Sequence, residues 1–109
     1  MTSAPEDLLA FQLKAVPERP IFERQFRIHP NRKFMADFFF PRVKGSSALV
    51  VEVDGGIWTG GRHVTGRGVE SDCEKSSLIA AMPARLMRVT PNLVRNGKAL
   101  KWILEALKR

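Results

Sequence analysis

A chain of 109 residues, 44% hydrophobic and 27% charged, has the size and composition of one soluble domain (residues 1–109) and is too short for two cores. No stretch approaches the roughly 20 apolar residues of a membrane span, and Met1 to Leu13 lacks the basic start and apolar run of a signal peptide, so a cytoplasmic protein with no membrane partner is expected. One cysteine, Cys73, and two histidines, His29 and His63, exclude disulfide scaffolds and Cys/His zinc fingers, while eighteen Lys and Arg against eleven Asp and Glu leave +7 and favour a polyanion, nucleic acid first.

Pro5 to Val16 places Leu8, Leu9, Gln12 and Leu13 at helical spacing, with Ser3 as cap and Glu6 three residues on. Ile21 to Ile28 alternates as a strand whose apolar face is Phe22, Arg24, Phe26 and Ile28. After the turn His29-Pro30-Asn31, Phe34 to Phe40 is an aromatic strand closed by Pro41, and Ala48 to Asp54 is a β-branched strand closed by Gly55-Gly56. Arg42 to Ser47 links these two strands as a hairpin loop. Six of the eight glycines fall between Gly55 and Gly68, which marks a loop. Val69 to Met82 suits a helix, Ala84 to Thr90 a strand, and Asn92 to Leu107 a closing amphipathic helix. The order α-β-β-β-α-β-α predicts an α/β domain on a mixed four-stranded sheet flanked by helices, with a hairpin followed by a crossover.

The candidate chemistry starts with Asp37, a carboxylate inside an apolar strand, where an uncompensated charge is costly. Glu52 and Asp54 lie two apart, so the period of two directs both to one face. If the hairpin register sets Asp37 beside Glu52, three acids converge in a cationic protein, which suits a hard divalent cation, magnesium or manganese, and phosphodiester hydrolysis. The bland alternative is that Asp37 pairs with an arginine and the other two acids mark the strand's exit into solvent.

The loop Trp58 to Gly68 carries Arg62, His63 and Arg67 among its glycines, a composition that can wrap phosphates or remain a plain surface loop. Gly56 and Gly61 have phosphate-loop spacing, but Arg62-His63 stands where an ATPase has Lys and Ser or Thr, so nucleotide hydrolysis is excluded. Glu70, Asp72 and Glu74 fall in the first turns of the next helix, where the dipole favours acids, and Cys73 reads as a packed thiol. Between Arg19 and Lys44 seven cations face two acids, which makes Arg27, Arg32 and Lys33 candidate phosphate contacts. Arg95, Lys98, Lys101, Lys108 and Arg109 form the wet side of the last helix.

The order Asp37, then Glu52-Val53-Asp54 on a neighbouring strand, then helix, strand and helix, resembles the PD-(D/E)XK nuclease superfamily. The runs His29-Pro30, Asp37-Phe38, Glu52 to Gly56, Trp58 to His63 and Asp72 to Lys75 are similar to small prophage-type proteins of its very short patch repair branch. The resemblance spans about residues 20 to 108. It implies a restriction-endonuclease-like fold and a magnesium-dependent endonuclease acting on duplex or branched DNA. Asp37 and Glu52 are then the metal acids and Asp54 stands where the motif lysine usually does. Lys75 is the candidate for a relocated lysine, with His63 as its substitute in orienting the water or the phosphate. The zinc ligands and metal-proximal histidines of the mismatch-repair relatives are missing, so mismatch specificity is not implied. The rival reading is a catalytically silent nucleic-acid-binding protein that keeps the fold; a homodimer and a monomer both stay open.

Overall fold

In the computed structural model the described residues are 3–41, 47–55 and 66–108, the side chains of 66 and 67 excepted. Helix α1 (Ala4–Ala15) begins at Ser3, whose hydroxyl accepts from the Glu6 amide and donates to the Glu6 carboxylate, a reciprocal cap that holds the first turn. Strands β1 (Glu23–Arg27), β2 (Met35–Phe40) and β3 (Ala48–Val53) follow, then α2 (Gly66–Ala81), β4 (Ala84–Val89), α3 (Pro91–Arg95) and α4 (Lys98–Leu107). The sheet order is β1-β2-β3-β4, antiparallel at the first two pairings and parallel between β3 and β4. This is the expected α/β arrangement with a mixed four-stranded sheet flanked by helices.

Helix α2 covers one face, packing Ile79 on Val50, Ala36 and Ile28. On the opposite face Leu9 and Leu13 of α1 meet Phe38, Phe40, Leu49, Val51, and Val94 and Ile103 of α3 and α4, most of them with no exposed surface. Burying each such Leu or Phe contributes about 1.5–3 kcal/mol. Among the described residues no helix is long and apolar enough to cross a membrane.

Three expectations need correction. The closing helix is two helices, because Gly97 adopts φ 84° and breaks the run after α3. Helix α2 starts at Gly66 rather than Val69, which moves Glu70, Asp72 and Glu74 beyond its first turn and removes the dipole explanation for them. The residues Phe22, Arg24, Phe26 and Ile28 do not share one face: Phe22 packs in the α1-side cluster and Arg24 lies over the Phe38 ring, whereas Phe26 and Ile28 pack in the α2-side cluster. The switch falls at Gln25, whose φ of 51° turns the backbone through the left-handed region. Opposite it β2 switches too, with Phe38 and Phe40 on the α1 side but Ala36 on the α2 side of the sheet. The hairpin loop 42–46 and most of the glycine loop, 56–65, lie outside the described residues.

Candidate active site

The site forms where the β2–β3 ladder stops. Phe38 pairs with Val51, Phe39 with Val50 and Phe40 with Leu49, so the next register position sets Asp37 against Glu52, the register on which the expected convergence of these acids is conditional. There main-chain pairing gives way to side chains. The Asp37 amide donates to Glu52 Oε2 at 2.9 Å, and the Val53 amide donates to Asp37 Oδ2 at 2.8 Å. Each carboxylate fills the place of a carbonyl on the other strand, which satisfies backbone donors that a parted ladder would orphan.

Glu52 is 5% exposed, and its burial needs a counter-charge. Lys75, in the third turn of α2, supplies it: its ammonium pairs with Glu52 Oε1 and donates to the Met35 carbonyl at 2.6 Å. Helix α2 thus brings Lys75, the candidate drawn from the resemblance, to the acids. Burial holds the Glu52 carboxyl above its ordinary value of 4.5; the Lys75 ammonium and the Asp37 amide oppose that rise, and the Asp37 carboxylate adds to it.

Asp54 departs from the expected trio. Strand β3 ends at Val53, the Asp54 amide continues the parallel pairing onto the Val89 carbonyl at 2.7 Å, and its carboxylate meets Arg88 at 3.2 Å. Arg88 is fixed in turn by Ser76 Oγ at 2.9 Å. Among the described residues no three His, Cys, Asp or Glu side chains gather into a metal-binding group, so the acids brought together are Asp37 and Glu52. Their donor set still fits a hard cation. Each carboxylate offers about four acceptor positions, of which the bonds named above use only some, and magnesium is commonly held by one or two carboxylates with water and substrate phosphate completing its shell.

An open cleft of about 550 Å³ lies beside the pair, lined by Asp37, Gln25, Arg32, Lys33, Ser71 and Lys75 among others. Two of the expected phosphate contacts therefore border the acids. Arg32 is not free: its guanidinium pairs with Glu74 and lies 4.7 Å from the Phe34 ring centre. Arg27 is exposed and donates through Nε to the Arg32 carbonyl at 3.0 Å, bracing that turn. His63 and Arg62, and the side chain of Arg67, lie outside the described residues. Cys73, expected to be packed, is exposed on α2.

Two residues near the site carry no motif. Glu6 of α1 is buried and accepts from Gln25 Nε2 at 2.9 Å, and the same amide reaches Asp37 Oδ1 at 3.4 Å. In the sequence Glu6 is fully accounted for as a capping residue, and Gln25 as an outward strand position. Neither a family model, nor a curated protein, nor a solved structure matches the chain.

Proposed function

We propose that this protein is a metal-dependent DNA endonuclease of restriction-endonuclease-like fold, with the cleft beside Asp37 as its active site. The observation that carries the reading is the convergence of Asp37, Glu52 and Lys75 at the open end of a hairpin, bordered by Arg32 and Lys33. Magnesium or manganese, held by Asp37 and Glu52, supplies Lewis-acid polarisation of the phosphate and a water of lowered pKa when bound. Lys75 has three ammonium donors; Glu52 and Met35 take two, and the third is available to a phosphate oxygen or a water in the cleft. Lys33 and Arg32 hold the nucleic-acid backbone as cations.

Plasmid nicking with magnesium and with manganese, on duplex and branched substrates, tests the assignment. Wild type should cut, and Asp37→Ala and Glu52→Ala should each abolish cutting while keeping or improving DNA affinity, because removing a carboxylate also removes repulsion from phosphate. Magnesium-dependent cleavage by either variant overturns the roles given to these acids. A second reading, a silent DNA-binding protein, draws support from the Asp54–Arg88 pair, which withdraws the third acid. It predicts gel shifts by wild type with no cutting under any of these conditions.

A further inference from the structure

Gln25 combines two features that ordinary strand residues lack. Its φ of 51° lies in the left-handed region, which is strained for a residue with a Cβ. It also sits opposite Asp37, since Arg24 pairs with Phe38 and Phe26 with Ala36. The offset is the same on both sides of Gln25, so no inserted residue explains the kink. What the kink accomplishes is visible in the side chain: Nε2 donates to Glu6 Oε1 at 2.9 Å and reaches Asp37 Oδ1 at 3.4 Å. Glu6 is anchored by Ser3 Oγ at 3.1 Å, so Gln25 is clamped from the helix side. Strain of this kind persists where the surroundings enforce it, and it clusters at working sites.

We infer that Gln25 is a positioning residue for Asp37: its strained backbone swings one amide between the buried Glu6 and Asp37, fixing Oδ1 while the Val53 amide fixes Oδ2. The two carboxylate oxygens are thereby held from opposite sides, one by β1 and one by β3. Without the amide, Glu6 and Asp37 lose the donor between them and the Asp37 carboxylate is held from the β3 side alone, by the Val53 amide. The role of Asp37 as a metal acid comes from the proposal above, whereas the way it is held rests on the geometry alone.

Two variants test this, Gln25→Leu, which keeps bulk, and Gln25→Gly, which also relaxes the backbone and so guards against misfolding of the first. In both, NMR hydrogen exchange of the Val53 amide should quicken fivefold or more relative to the Val51 amide, which lies within the β2–β3 ladder. Manganese binding, followed by loss of the free-ion electron paramagnetic resonance signal, should weaken about tenfold. A purely structural role in β1 predicts faster exchange at Arg24 and Phe26 with the Val53-to-Val51 ratio unchanged, and that result overturns the inference. If wild type binds no manganese but Val53 responds, the metal reading fails and the positioning role stands. If wild type binds manganese and both variants bind it equally with Val53 unchanged, the positioning role fails and the metal reading stands.

Discussion

Glu52 is held by opposing forces whose balance sets a pH dependence. Its carboxyl binds a proton more tightly folded than unfolded, so between the ordinary value of 4.5 and the raised one the folded state carries more protons and stability falls as pH rises. Below that window the cost is absent. Glu52→Gln, neutral throughout, should therefore gain stability relative to wild type as pH climbs from about 4 to about 7 in EDTA buffer, as read by urea denaturation. A pH-independent difference would show that the carboxylate is not burdened by burial. Lys75 is the counterpart. Lys75→Met keeps length, removes the ammonium and leaves Glu52 uncompensated, and single-turnover cleavage should slow by about 10², with DNA affinity nearly intact. A rate within about threefold of wild type would reduce Lys75 to a structural partner of Glu52.

At the scale of elements, the split between α3 and α4 rests on one residue. A Cβ at Gly97 would meet no atom within 4 Å, so Gly97→Ala should cost only the left-handed backbone, about 1 kcal/mol, measurable by chemical denaturation. A larger loss would mean that the break itself shifts. The sequence already holds that signal in Asn96-Gly97, but the apolar spacing of Leu93, Leu100, Ile103 and Leu107 overrides it in a linear reading. The same contrast runs through the site. Asp37 and Glu52 are legible as candidates because a carboxylate inside an apolar strand calls for compensation, while the register that sets them together is not fixed by strand pattern; Lys75 is singled out by the family resemblance rather than by spacing. The pairing of Asp54 is not legible because its partner, Arg88, comes from β4, thirty-four residues away, and strand period says nothing about a distant cation. Gln25 is misread because alternation assumes an unbroken strand, and glutamine, unlike glycine or asparagine, gives no local warning of a positive φ.

For the molecule as a whole, the charge of +7 acts through salt. DNA affinity should fall steeply with ionic strength, and replacing Arg32 and Lys33 by Ala should flatten the slope of log affinity against log salt by about 0.9 for each phosphate that no longer meets a cation. Because Arg32 is paired with Glu74, its binding to phosphate requires exchanging one anion for another, and Lys33→Ala alone should account for the larger share. Fluorescence anisotropy across a salt series measures both, and an unchanged slope would place the nucleic acid on another surface.

The larger hydrophobic cluster joins Leu9 and Leu13 of the first helix to Val94, Ala99 and Ile103 of the last two. During synthesis α1 therefore has no completed partner surface until α3 and α4 leave the ribosome. The hairpin bearing Asp37 and Glu52 emerges earlier, and the face that carries Phe38, Phe40 and Leu49 meets α1 at once but is completed only when those two helices arrive. Stalled nascent chains that end before Val94 should leave this face open to protease.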